Sequence, residues 1–585
     1  MTRLLTWKTA STCALTAICA ATVQGQVGLL ADTAAGRVTA GPVCRGEIIR
    51  RIDVQAYPPF DAGGTKLLSR VVSFATSLHA TTREQVIRRF IPMRIGQPCE
   101  DFRVREAERI LRAQPFLADA TVLVVPDGSG GVNLDVVTVD EVSLILDGTV
   151  SSRSPVIRAV RLGDQNLAGS AISVTGAWQH GPLFRDVYRG RLVDYQLFGR
   201  PYQLSLQGSR NEVGGSWDAL LDHPFLTDLQ RTSWRMSAGS SSGFLYFARP
   251  HATDAALRFV REYSDAGGVV AFGPVRHVFL VGATVSHERE RTGHNPVTVT
   301  DSAIMSDTST ALIGRYTAHQ TSRINLLLGF RNLRYVRVRG FDAVEGTQDV
   351  RSGFQLATLA GRGIKFTDRD ERDYFVSTDL YLGRATSGSF AGVEFMGERR
   401  RDLDAHRTDG VLASGRAAWY DHPTSRNTSI LDAEFSGGWN QRVPFQLTLS
   451  DRDGGIRGYG FSDLGGAQRM VFRVEDRYNF GHFRQLAAVA GALWVNAGKL
   501  WAGDAPFGVT TDMKYSVGIG ILAALPPRSR RTWRVDFAYP INDRGDARFE
   551  VRVTNHDFTR WFWREPGDVQ TSRERAIPNS VYNWP

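Results

Sequence analysis

The sequence predicts a mainly β fold: a transmembrane antiparallel β-barrel behind one small mixed α/β domain. Three observations predict it. Most of the 585 residues read as short alternating segments, no internal apolar run is long enough for a membrane helix, and one N-terminal stretch switches to helical spacing. The alternation is cleanest near the C-terminus. Trp533, Val535, Phe537 and Tyr539 share one face, and Thr532, Arg534, Asp536 and Ala538 share the other. Phe549, Val551 and Val553 likewise oppose Arg548, Glu550, Arg552 and Thr554. Side chains alternate across a strand, so each segment has one greasy and one charged face. Repeated around a closed sheet, that pattern puts lipid outside and water inside.

The same period runs through Ile324, Leu326, Leu328 and Phe330, through Tyr374, Val376, Leu380 and Leu382, and through Tyr515, Val517, Ile519 and Ile521. A soluble propeller or sandwich would alternate too. Against that alternative, tryptophans and tyrosines fall near segment ends on the apolar face, the polar face is strongly charged, and no blade-like repeat is visible. A mean hydropathy of −0.21 excludes a helical membrane protein but not a barrel, whose lumen residues dilute the average.

Arg3, Lys8, the apolar stretch from Ala10 to Val23 and the small residues near Gly25 form a secretory signal over residues 1–25. A linker rich in Ala, Gly and Thr is expected over 26–43. Two of the four cysteines leave with the signal; Cys44 and Cys99 remain as a pair in an oxidising compartment, so a disulfide is expected between them. The net charge of +10 fits an arginine-rich surface and lumen and does not choose a partner.

Residues 44–141 read as β-α-α-β-β. Ile48 to Val54 suggest a strand, and Leu67, Val71, Phe74 and Leu78 fall at helical spacing. Thr81 to Gln85 carry a capping-box pattern before Val86, Ile87 and Phe90. A further helix runs through Phe102 to Leu111 and stops near Pro115, and Ala120–Val125 and Val132–Thr138 flank the turn Asp127-Gly128-Ser129-Gly130-Gly131. From 142 to 558 the chain reads as strand and turn, with longer loops at His287–Ser309 and Arg399–Gly410. The pattern predicts about 11 to 14 strands before residue 456 and five after it. An extension fills 559–585.

Between two of these strands lies Gly454-Gly455-Ile456-Arg457-Gly458-Tyr459-Gly460. Its glycines allow close backbone approach and positive φ, so the loop can fold back into a wide lumen. Arg457 can then fork onto a wall carboxylate. Glu475 supplies one, on the face shared by Arg473, Arg477 and Asn479 and opposite Phe472, Val474, Tyr478 and Phe480.

Taken together these features resemble the outer-membrane assembly and translocation superfamily of BamA, TamA and the two-partner-secretion transporters. Residues 44–141 resemble a single POTRA domain. Gly163-Asp164-Gln165-Asn166-Leu167-Ala168-Gly169 is similar to an Asn-Leu-x-Gly signature at the start of such barrels, and Asp222-His223-Pro224-Phe225 to an early Pro-Phe element. Ile456-Arg457-Gly458-Tyr459 matches the Val-Arg-Gly-Phe/Tyr motif of the sixth extracellular loop. The resemblance implies a barrel of about 16 strands. It implies a loop arginine held by Glu475 and by the aspartate of a Phe-x-Asp-x-Gly motif. Here that motif reads Trp494, Asn496 and Gly498, so Asn496 offers only a neutral acceptor. Two further departures are the single POTRA-like domain and the chain that continues past the last strand through Trp561-Phe562-Trp563.

The function implied is insertion or translocation of unfolded or strand-rich client proteins at a bacterial outer membrane. The N-terminal domain would lie in the periplasm, with outer-membrane lipid and periplasmic accessory proteins as partners. A passive porin-like channel is the alternative. No nucleic acid, cofactor or metal is expected. An enzyme is not expected either: Gly239-Ser240-Ser241-Ser242-Gly243 satisfies G-x-S-x-G, but reads as a serine-rich turn between strands, not as a strand-turn-helix elbow.

Overall fold

The computed structural model describes residues 44–60, 79–150, 157–180, 186–300, 303–451, 454–460, 462–483, 486–541, 549–557 and 562–573. The expected signal, the linker and the helix through Leu67 and Leu78 lie outside the described residues.

The N-terminal domain contains β1 (Arg45–Tyr57), α1 (Glu84–Arg89), β2 (Pro98–Glu100), α2 (Asp101–Arg112), β3 (Leu117–Pro126) and β4 (Val132–Asp140). Its sheet runs β2-β1-β4-β3, with β1 and β4 parallel and the other pairs antiparallel. Ile49, Ile52, Ile87, Phe90, Ile110, Leu111, Phe116, Leu134 and Val136 fill its core. Asp127 closes the β3–β4 turn by accepting from the backbone of Ser129 and Gly131. Cys44 and Cys99 are bonded across a separation of 55 residues, which is worth about 4 kcal/mol on the chain-entropy account. The capping box does not form: Thr82 turns its hydroxyl and backbone N–H to the buried Asp140 instead, at 2.8 and 2.7 Å. A buried carboxylate takes both donors because they offset its desolvation.

The remaining strands close into a barrel. Among the described residues it holds 20 strands of seven or more residues, plus the short Val297–Val299 and Ile304–Ser306. That is more than the 16 the resemblance implied; five follow the Arg457 loop and 15 precede it. The excess arises early, where the six strands between Leu144 and His223 are only 7 to 10 residues long and rich in glycine and serine, so their alternation is faint. Two expected loops are also shorter, because strands extend to Thr292 and Asp402. The stretch Gly239–Gly243 is not a turn. It lies within the strand Thr232–Arg249, paired to both neighbours, and its small side chains leave room for the Tyr263 ring.

Side chains sort as the alternation requires. Ile324, Leu326, Leu328, Leu382, Ile519, Ile521 and Tyr539 point outward and are exposed, while Arg323, Asn325, Ser516, Arg534 and Asp536 point inward and are buried. An apolar band of this extent on a closed barrel is what a bilayer-spanning barrel carries. Among the described residues no helix is long and apolar enough to cross a membrane.

The wall is uneven. The ring closes between its first strand, Leu144–Val150, and its last, Glu550–Asp557, with 7 and 8 residues. The strands Ala252–Phe272 and His319–Arg339 have 21 each. Eight residues tilted by about 45° span roughly 19 Å, well short of a hydrocarbon core of about 30 Å.

One hairpin leaves the wall. The strands His319–Arg339 and Thr347–Gly363 stay paired down to Arg339 and Thr347. Pairing of the first to its other neighbour stops at Arg331, and that of the second stops at Gly353. Gly353 has a φ of +133°, which lets the strand swing away there. Beyond this point the hairpin folds into the lumen, and its tip reaches the opposite wall. Val344 packs on Ala488, Ala490 and Leu522, and Arg477 donates to the Phe341 and Asp342 carbonyls at 2.9 Å each.

Candidate functional site: a filled lumen

Three pieces of chain occupy the lumen, each anchored on the wall strand that carries Glu475. The first is the loop that contains Arg457. Its Ile456 is fully buried against Leu449, Val471 and Leu500, and Gly458 has a φ of +85° where it passes Ala538 and Pro540. Arg457 donates through two nitrogens to Glu475 Oε2, both at 3.0 Å, and its guanidinium stacks 4.7 Å from the Trp494 ring centroid. Glu475 also accepts from Arg477 at 2.6 Å and from both terminal nitrogens of Arg534 at 2.7 and 2.9 Å. Three guanidinium groups thus converge on one side chain that is 6 % exposed.

Asn496 does not act as the second charge partner. With its amide oriented by the surrounding hydrogen bonds, it accepts from the Arg457 backbone N–H at 3.3 Å. A second carboxylate is nonetheless present and comes from another strand. Asp536 lies 3.8 Å from Arg457, and it accepts from Trp494 Nε1 at 3.0 Å and from Arg534 at 2.7 Å. Gly518 and Gly520 on the intervening strand make the reach feasible, because a Cβ at either would strike Trp494 or Asp536. Sequence reasoning missed Asp536 in this role, although its inward parity and that of the two glycines were both readable. Tyr459 and Gly460 complete the loop's attachment through the Tyr515 carbonyl and Glu550 at 3.4 and 3.3 Å.

The second piece is the inward hairpin, joined to the loop through Arg477. The third is the C-terminal segment Phe562–Arg573, which folds back into the lumen and carries the one-and-a-half-turn helix α3 (Gly567–Ser572). Pro566 packs against Gly454 of the loop, and Asp568 accepts from Arg469 at 2.6 and 3.1 Å. Between loop and tail a cavity of about 410 Å³ remains, lined by Arg457, Arg473, Glu475, Arg477, Asp432 and Trp563 among others.

The N-terminal domain closes the end of the barrel at which the hairpin enters the lumen. Arg112 of α2 forks onto Asp349 of the hairpin at 2.8 Å for both bonds, and Glu108 takes Arg337. Arg109 stacks 4.3 Å above the Tyr335 ring. Around the rim, Asn166 donates to Thr82 at 2.7 Å, the Arg83 N–H donates to the Gly169 carbonyl at 3.0 Å, and Arg530 donates to the carbonyls of Gln114 and Leu117. The Asn-Leu-x-Gly element is therefore part of the joint between domain and barrel. Asp194-Tyr195-Gln196-Leu197-Phe198-Gly199 repeats it. Both turns have positive φ at the same two positions, and Gln196 donates to the Val86 carbonyl at 2.8 Å. The spacing Asp-x-Asn/Gln-Leu-x-Gly marked this second turn in the sequence, but it was not singled out. In the Pro-Phe element, Phe225 is fully buried with Leu280 and Leu327.

At the far end, Arg442 of the long loop is tied to Glu371 at 3.1 Å, alongside His319 at 2.8 Å and Arg400. Burial alone would raise the Glu371 pKa. The His319 hydrogen bond and the charges of Arg442 and Arg400 outweigh it and hold the carboxyl at about 2, against an ordinary 4.5. A folded pKa below the unfolded value adds stability that is complete above pH 4.5 and is lost as pH falls toward 2. Acidification through that window is expected to speed amide exchange in the loop around Arg442. Glu371→Gln should be looser at neutral pH and should lose this part of the acid response.

Among the described residues no group of three or more His, Cys, Asp or Glu is placed to hold a metal ion. No protein-family model matches the chain. No curated protein matches it either. Among solved structures the chain is similar to BamA from Haemophilus ducreyi lacking POTRA domains 1–3, at 13 % identity over 87 % of this chain and 84 % of that one, with a TM-score of 0.36. It is also similar to CdiB from Escherichia coli (10 % identity, 87 % and 76 % covered, TM-score 0.43) and to CdiB from Acinetobacter baumannii (8 %, 87 % and 74 %, TM-score 0.40).

Proposed function

We propose that this protein resides in a bacterial outer membrane, with its N-terminal domain in the periplasm, and passes client polypeptides across or into that membrane. One observation carries the reading: the lumen of an apolar-coated barrel is filled by three chain segments, each held by side chains of one wall strand, Gln468–Phe483, and one of them, the hairpin, is also bonded to the N-terminal domain. A passive channel needs an open bore, so the filled lumen disfavours the porin-like alternative. A gated translocator needs removable inserts.

The mechanism uses strand chemistry. A client strand in lipid leaves unpaired backbone groups that cost several kcal/mol each, so a template that pairs them makes insertion downhill. The seam between the first and last strands joins two of the short strands, beside a wall too short for a bilayer of ordinary thickness. The edge of β3 offers β-augmentation before that step. Arg112 and Glu108 bind that edge at the Ala120 carbonyl and the Val122 N–H while also holding the hairpin. Release of α2 thus frees the edge and unlatches the lumen together.

Depleting the protein in its host tests the reading. Specific surface or secreted proteins are expected to vanish from the outer membrane and to collect in the periplasm. Normal arrival of every such protein would end it.

A further inference from the structure

We infer that the lumen carries a peptide-binding groove, built by the barrel wall and the long Arg457 loop and occupied at rest by the chain's own C-terminal segment, and that it accepts an aromatic–acidic stretch of polypeptide able to take the same short helical turn. This deepens the proposed function, on which it rests, by naming the kind of client segment the lumen takes.

The groove is built for a defined pattern. At one end Phe562 sits in a ring pocket, edge-on to Tyr381 at 5.9 Å and Phe390 at 5.3 Å, beneath the Arg416 guanidinium at 5.1 Å. Arg416 also donates to the Phe562 carbonyl. Halfway along, the fully buried Val569 fills a socket of Leu412, Phe445 and Leu447. Beside it Asp568 meets Arg469, whose side chain is 2 % exposed and which also donates to the Thr448 carbonyl at 2.8 Å. At the other end Arg261, buried in the wall, donates to the main-chain carbonyls of Thr571 and Arg573 at 2.8 and 2.7 Å.

Arg416 and Arg261 read backbone, through three carbonyls, so these contacts serve any sequence; the aromatic pocket, the apolar socket and Arg469 select. Buried guanidinium groups need acceptors, because unpaired charge in the interior is costly. Wall carboxylates pair Arg261 and Arg416, while the tail supplies Arg469 with Asp568 and the other two with main-chain carbonyls, and a client that supplies these acceptors equally can replace it. The groove also has a direction. The Phe562 pocket lies where strands Asp373–Ala385 and Ser389–Asp402 join, at the end bearing the N-terminal domain. Arg469 and Glu398, which bind Asp568 and Arg573, lie toward the far end. The tail therefore traces the path a translocating segment takes through the barrel.

The test uses the whole chain and a fluorescent synthetic peptide of residues 562–573. Asp568→Arg with Val569→Asp weakens the resident tail while leaving every wall residue in place. That variant is expected to bind the peptide at least 10-fold more tightly than the wild type, and adding Arg469→Ala should remove most of the gain. Equal binding by wild type and variant, or none by either, would overturn the groove. Should the double variant not fold, Arg469→Ala alone is compared with wild type by amide exchange. Faster exchange across Gly567–Ser572 supports the groove, and unchanged protection overturns it. Client transport that fails in the host while the peptide still binds would sink the translocation reading and leave the groove standing.

Discussion

Replacing Glu475 with alanine is expected to release the Arg457 loop and to cripple client handling more severely than any other single change in the lumen. The carboxylate accepts from Arg457, Arg477 and Arg534, and its removal leaves three guanidinium groups facing each other, with Asp536 as the nearest remaining anion. Breaking a buried ion pair by removing one partner costs about 3–5 kcal/mol, because the surviving charge stays desolvated. Arg457→Ala removes one of three donors and should cost less. Glu475→Gln keeps the shape without the charge and should fall between the two. Amide exchange across 454–460 should rise from Arg457→Ala through Glu475→Gln to Glu475→Ala, with the barrel still inserted and client delivery falling more than 10-fold for Glu475→Ala. An Arg457→Ala variant that delivers clients normally would remove the loop from the mechanism.

The second large effect is expected from Arg112→Ala. Its side chain is 3 % exposed, and it joins three things: α2, the β3 edge at Ala120 and the inward hairpin at Asp349. Its loss orphans a carboxylate at the barrel mouth, again at about 3–5 kcal/mol. Exchange should accelerate in both α2 and the 333–352 hairpin, since one residue holds both. Asp349→Ala should reproduce the hairpin effect. The double variant should cost less than the sum of the singles, as expected for residues in direct contact. Additive effects would mean that domain and hairpin are held independently.

Particular residues explain what was legible. The inward set Thr532, Arg534, Asp536 and the outward set Trp533, Val535, Phe537 follow from a period of two, which a half-buried strand cannot avoid. A folded-in loop arginine that meets a wall carboxylate was readable from the glycines and the inward parity of Glu475, and the choice of Glu475 among the inward carboxylates is what the resemblance of the loop and strand motifs implied. The departure of the 333–352 hairpin was not. Leu333 and Tyr335 keep one parity and Val336 and Val338 the other; such a one-residue shift reads as an irregularity within a wall strand, and only the neighbours' pairing distinguishes wall from lumen. The tail was equally opaque, since Phe562 and Val569 find their pockets on residues more than 120 positions upstream. The partnership of Asp536 with Arg457 was missed because the glycines that let it reach sit on a different strand from either residue. The strand count fell short where serine and glycine blur the apolar face.

The central claim is that this barrel moves other polypeptides by pairing with them. Lipid vesicles carrying the purified full chain, mixed with a urea-denatured strand-rich outer-membrane protein, test it most directly through protection of that protein from added protease. Protection should appear several-fold faster than in empty vesicles, and Glu475→Ala should abolish the difference. Equal rates with and without the chain would contradict the account.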